Sequence, residues 1–179
     1  MRIVNLEPTP NPNAYKFNVA ELLSNDARSF PNPDAGARDP LARKLFAANG
    51  VESVFYLGHF ITISKRESVD WGDVMKHVSQ SLLEFDASGL KDLGQDTQAD
   101  NSQDSPVLAQ IKEIIEEMVL PALANDGGGL EVLGMEDHTV FIRYQGACGS
   151  CPSATSGTLM AIERLLQSQI DGSLRVLPA

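Results

Sequence analysis

The chain has 179 residues, with 14 Lys and Arg against 24 Asp and Glu, a formal net charge of −10. That length admits one large domain or two small ones, and a hydrophobic fraction of 42% is enough for a real core. A pI near 4.6 argues against non-specific binding to nucleic acid or anionic membrane, and two cysteines cannot build the disulfide framework of a small secreted domain.

The N-terminal residues Met1 to Pro8 contain no apolar secretory segment and no Arg- and Ser-rich, acid-poor transit stretch. No run approaches the roughly 18 apolar residues that span a bilayer. A cytoplasmic protein is expected, or else a processed organelle protein. Pro8-Thr9-Pro10-Asn11-Pro12-Asn13 is rich in turn formers and incompatible with helix. It reads as an ordered loop shaping the first domain, with partner docking as a weaker alternative. Tyr15, Phe17 and Val19 then alternate with Lys16 and Asn18, the period of a half-buried strand. Asp39-Pro40 places a cap residue and an N1 proline before Leu41, Leu45 and Phe46, and Asn49-Gly50 closes that helix. Residues 51–57 and 60–63 read as a hairpin turning at Gly58-His59. Trp71, Val74, Val78, Leu82 and Phe85 recur at helical spacing, which predicts an amphipathic helix over 70–87 with Trp71 as a core anchor.

Residues 93–105 hold one large apolar residue and three Asp with no basic residue. Such a segment cannot bury enough apolar surface to offset the entropy of ordering, so a flexible, acidic linker is expected. It separates residues 1–92, with 10 basic and 12 acidic residues, from residues 106–179, with 4 basic and 9 acidic. Ser105-Pro106 is a helix start, and Val107, Leu108, Ile111, Ile114, Ile115 and Met118 mark one apolar face. Pro121 is expected to kink or end that helix. Asn125 to Gly129 reads as a loop, with Asp126 in a turn rather than acting as a metal or catalytic carboxylate. Leu130 to Leu133 and Val140 to Tyr144 are strands around a turn at Glu136-Asp137-His138. Leu159, Ile162, Leu165 and Leu166 mark a last helix, closed by Asp171-Gly172 before a short strand over 174–177.

Both cysteines lie in Gly146-Ala147-Cys148-Gly149-Ser150-Cys151-Pro152, after a strand and at a helix start. Unpaired N–H groups and the positive dipole end there favour thiolate, the form that binds metal or attacks disulfides. Two incidental cysteines in a turn are the bland alternative. Thiol–disulfide exchange is the first functional reading, but too little chain follows Cys151 for the remaining strands of a thioredoxin-like fold. A zinc site and an iron–sulfur cluster both want four ligands. His59, His77 and His138 lack metal-ligand spacing and read as turn or surface residues. Either metal reading therefore predicts a dimer, each chain giving two thiolates at a two-fold contact. No acid, base and nucleophile constellation is visible, so an enzyme is not expected.

The stretches Leu123-Ala124-Asn125-Asp126-Gly127-Gly128, Gly146 to Ser153, and Thr158-Leu159 with Ile162-Glu163 resemble the NifU C-terminal-type (Nfu) domain. Thr9 to Phe17, Leu41 to Phe46, Gly50 to Phe55 and Phe60 to Ile63 are similar to the Nfu N-terminal domain. Gly129, Leu120 and Ala154 depart from the family pattern, and none is a ligand position. The resemblance implies two small α+β domains, 1–92 and 106–179, joined by the linker. It implies a carrier or scaffold that binds a [4Fe–4S] cluster between two subunits through Cys148 and Cys151. The implied partners are upstream cluster-assembly proteins and apo iron–sulfur recipients, with no nucleic acid and no membrane.

Overall fold

The computed structural model describes residues 1–90, 105–149 and 152–179, with the backbone alone for 152–156. These residues fall into two compact units, one up to residue 90 and one from residue 105. Both are α+β. Residues 93–104 of the expected linker lie outside the described residues, as does Cys151.

The first unit is an antiparallel sheet of five strands, β1 (Ile3–Pro8), β2 (Ala14–Val19), β3 (Ser24–Phe30), β4 (Val51–Gly58) and β5 (Phe60–Lys65), in the order β1-β2-β5-β4-β3. Helices α1 (Pro40–Phe46) and α2 (Trp71–Glu84) cover one face. Leu41, Leu45, Val74, Val78 and Leu82 pack there on Phe17, Val54, Tyr56, Ile61 and Ile63. Asp39 caps α1, its side chain accepting from Ala42 N at 2.8 Å, while its other oxygen accepts the Tyr56 hydroxyl at 2.6 Å. Burial, then the Asp39 hydrogen bond and charge, push the Tyr56 phenol well above its ordinary value. Trp71 packs against the core and edge-on to Tyr15, and its indole N–H donates to Pro12 O at 3.1 Å. The anchor thus also holds the proline-rich loop, which is fixed from within by Asn13 N donating to Asn11 Oδ1 at 2.9 Å.

The sequence pattern does not reveal β1 or β3. Both are edge strands, and β3 (SNDARSF) carries a polar run. Pairing with β2 and β4 makes them strands, not their own periodicity. The α2 helix ends at Glu84 rather than at 87, and a short 3₁₀ turn follows at Ala87–Leu90.

In the second unit α3 (Pro106–Ile114) starts at Ser105, whose Oγ accepts from Leu108 N at 3.2 Å. A π-helical stretch (Ile115–Val119) leads directly into α4 (Leu120–Asn125). Pro121 does not end the helix. One residue before it, Leu120 N bonds five residues back to Ile115 O, so the wider turn accommodates the proline. The same turn shifts the helical phase. Ile111, Ile115, Val119 and Leu123 are buried, whereas Met118, expected on the apolar face, is 55% exposed; Val107, also expected there, is 37% exposed in the first turn of α3, before the π stretch.

Strand β6 (Gly128–Glu136) pairs antiparallel with β7 (Thr139–Gly146), and β8 (Arg175–Pro178) lies parallel to β7 at the edge. Helix α5 (Pro152–Gln169) is the crossover that a parallel pair requires. The expected loop at 125–129 is shorter than the glycines implied, because Gly128 and Gly129 already belong to β6, opposite Gly146 and Gln145. Ile162 and Leu166 of α5 close the core over Leu130, Val140, Ile142 and Val176. Among the described residues no helix is long and apolar enough to cross a membrane.

Candidate functional site

The site lies where the end of α4, the start of β6 and the end of β7 meet. Gly127 has φ +75° and its N–H donates to Ala124 O at 3.1 Å, ending α4 in the left-handed conformation that favours glycine. Gly146, with φ +63°, turns the chain out of β7 in the same way. Between these turns, Ala147 N donates to Gly127 O at 3.1 Å and Gly149 N to Gly146 O at 3.1 Å. The loop that carries Cys148 is therefore sewn to the start of β6. The Gly149 α-carbon sits against the Tyr144 carbonyl, leaving little room for a side chain.

Cys148 is half-buried, its side chain packed against the second unit's core beside the bare α-carbon of Gly128. Burial first, and the charge of Cys148 second, push the Tyr144 phenol up to about 12. On the opposite face of the sheet, Glu131 lies 3.5 Å from Arg143 and accepts from Gln145 Nε2 at 3.3 Å.

His59 and His138 are exposed in turns and His77 is exposed on α2, as the sequence indicated. Among the described residues no three His, Cys, Asp or Glu side chains come together as a metal group. Asp126 is the C-terminal cap of α4, its N–H bonding back to Ala122 O at 3.4 Å. Sequence reasoning missed Tyr144 and Gly128 as walls of the Cys148 corner. A run of three glycines leading directly into a strand was the only signal for the second.

The model of the scaffold protein Nfu/NifU N-terminal domain matches residues 4–89, and that of the NifU-like domain matches residues 111–177. The NFU1 iron-sulfur cluster scaffold homolog, mitochondrial, of Homo sapiens is 37% identical over 172 residues, covering 93% of this chain and 68% of its own length. The chain belongs to the Nfu/NifU family. The Drosophila virilis protein of the same name is 35% identical over 174 residues, and the match spans 58% of its length. The solution NMR structure of a NifU-like protein from Saccharomyces cerevisiae aligns at 25% identity and a TM-score of 0.38, over 46% of this chain and 77% of that one. In this Nfu-family chain the two family matches coincide with the two compact units, and the Cys148 corner falls in the NifU-like one.

Proposed function

We propose that this protein is an iron–sulfur cluster carrier or scaffold. Two copies bind one [4Fe–4S] cluster through Cys148 and Cys151 of each and pass it to apo-proteins. The observation that carries the reading is the Cys148 corner of a NifU-like domain. It holds a half-buried thiol in a glycine-lined loop whose backbone is bonded to the start of β6. Soft thiolates suit iron–sulfur chemistry, and two per chain make half of a four-thiolate set. The cluster is cargo, so the ligands must release it. Recipient thiolates displace Cys148 and Cys151 one at a time, and each leaving cysteine takes up the proton that the incoming thiol gives up. No net oxidation is needed.

In this reading residues 1–92 form one domain and residues 106–179 the cluster domain. The linker at 93–105 lets the first domain engage a recipient while the second holds the cargo, raising effective concentration. The partners are upstream cluster-assembly proteins and apo iron–sulfur proteins, and no catalytic turnover is assigned. The compartment is one with reduced thiols, the cytoplasm or an organelle interior, and the human relative is named as mitochondrial.

The test is anaerobic reconstitution with ferrous iron and sulfide, followed by metal and sulfide counts. About four iron and four sulfide per dimer are expected, with a visible absorption band that Cys148→Ala or Cys151→Ala abolishes. A colourless protein that reduces disulfides would instead establish a redox dithiol. Tight zinc that iron does not replace would establish a zinc-bridged interaction module.

A further inference from the structure

We infer that Gly128 is a positioning residue for Cys148: its bare α-carbon is the seat of the cysteine sulfur, and that seat fixes where the ligand points. The seat stands on geometry alone. Its consequence for the cluster rests on the carrier reading.

Gly127 and Gly146 have positive φ, and their backbone conformation accounts for their being glycine. Gly128 is not among the positive-φ residues. It is buried, begins β6 and pairs with Gly146, a strand position any residue can adopt. An alanine would even be favoured there, since glycine weakens strands. What excludes a side chain is the neighbourhood. A methyl group on Gly128 would overlap Cys148 Sγ, and would lie 3.1 Å from Cys148 Cβ and 3.1 Å from the Gln145 carbonyl oxygen. The sulfur could swing away by rotating χ1. The Cβ and the carbonyl could not, because the β6–β7 ladder and the bond from Ala147 N to Gly127 O hold the backbone on both sides. With the backbone of Cys148 held, its remaining freedom is a choice among staggered rotamers. The gap at Gly128 selects one of them. A site that must receive cargo from one protein and yield it to another needs its ligand presented in one direction before the partner arrives, and the space at Gly128 sets that direction.

The experiment uses the full chain and a double-mutant cycle. Gly128→Ala should lower the melting temperature of the native chain, and lower that of the Cys148→Gly chain clearly less, because Sγ and Cβ are gone there and only the Gln145 carbonyl contact at 3.1 Å remains. In a Cys151→Ser background, Gly128→Ala should speed alkylation of Cys148 by iodoacetamide about threefold or more, because the displaced sulfur is more exposed. Gly172→Ala, with open space around its α-carbon, should not change that rate. Reconstituted Gly128→Ala should hold clearly less iron and sulfide per dimer than the native chain. If Gly128→Ala fails to fold, recovery of folding by Cys148→Gly supports the seat, and a Gly128→Ala, Cys148→Gly chain no more stable than Gly128→Ala alone overturns it, the clash then lying with the Gln145 carbonyl. Equal melting shifts in both backgrounds with an unchanged alkylation rate would also overturn it. A displaced sulfur with native iron and sulfide content would overturn the positioning role. A native chain that takes up no cluster would sink the carrier reading, while the cycle and the alkylation rate still judge the seat.

Discussion

The two units place their polar chemistry differently. In the first, functional groups are turned inward as fixtures. Asp39 is 4% exposed and satisfies both a helix cap and the Tyr56 hydroxyl, and Lys65, 6% exposed, donates to Asn13 Oδ1 at 3.1 Å. In the second, the charged pair of Glu131 and Arg143 is exposed at the surface, and a half-buried thiol sits in a loop walled by glycine. Buried polar groups in the first unit hold a fold. The second unit keeps a reactive group near the surface and pins the backbone beneath it. The contrast explains why one unit offers no chemistry to a motif search and the other concentrates it in four residues.

The sharpest way to break the contrast is to remove a fixture. Asp39→Ala deletes the α1 cap and leaves the buried Tyr56 hydroxyl without its acceptor. The expected loss is about 3 kcal/mol, roughly one for the cap and the rest for the orphaned hydroxyl. Urea unfolding followed by the emission of Trp71, the one tryptophan of the chain, reads the first unit directly. Asp39→Asn keeps an acceptor for Ala42 N and should cost clearly less. The same pair sets an alkaline limit. The Tyr56 phenol titrates higher in the folded state than in the unfolded chain. Its contribution is therefore complete below the ordinary tyrosine value of about 10 and is lost as pH rises beyond it. Tyr56→Phe should flatten that alkaline decline of the urea midpoint. An unchanged decline would mean that Tyr56 is not the group responsible.

Local signals explain how much of this was legible beforehand. Asp39-Pro40 and Ser105-Pro106 announce helices because cap and N1 proline act within one turn, and both caps form. The hairpin at Gly58-His59 and the cysteine loop between β7 and α5 are legible for the same reason. What escaped depends on distant partners. β1 and β3 are strands because of their neighbours, and Met118 faces solvent because a π turn before Pro121 resets the helix phase. Gly128 looks like turn glycine until the cysteine from the far end of the next strand is seen against it. Composition reports residue types, and this site is made by a missing side chain.

Smaller effects sharpen the comparison within the second unit. Glu163 of α5 accepts from Val176 N at 3.0 Å, standing in for the strand that edge strand β8 lacks on its outer side. Glu163→Ala should cost about 1–2 kcal/mol in urea unfolding, and Glu163→Gln, which keeps a carbonyl acceptor, should restore most of it. A Gln variant as unstable as the Ala variant would mean that charge, not the hydrogen bond, matters there. Pro121→Ala should change stability by no more than about 1 kcal/mol, because the π turn already relieves the clash that costs roughly 3 in a regular helix. A gain near 3 would show that the clash persists.

The smallest expected effect comes from a charge pair on the surface of the first unit. Lys44 of α1 lies 3.4 Å from Glu84 of α2, with Glu84 exposed and Lys44 partly so. A hydrogen bond from Gln80 first, and Lys44 second, hold the Glu84 carboxyl below its usual value. A depressed carboxyl contributes only above its ordinary value and loses that contribution as pH falls through the folded one. Solvent screens an exposed pair, and ordering two long side chains offsets the attraction. Lys44→Met should therefore leave the urea midpoint at neutral pH unmoved, while the Glu84 carboxyl, followed by NMR titration, rises. If Lys44→Met lowered the midpoint as far as Asp39→Asn does, helix-to-helix charge would be holding the first unit as firmly as its buried fixture. The distinction between inward-turned and surface chemistry would then fail in the unit where it is drawn most clearly.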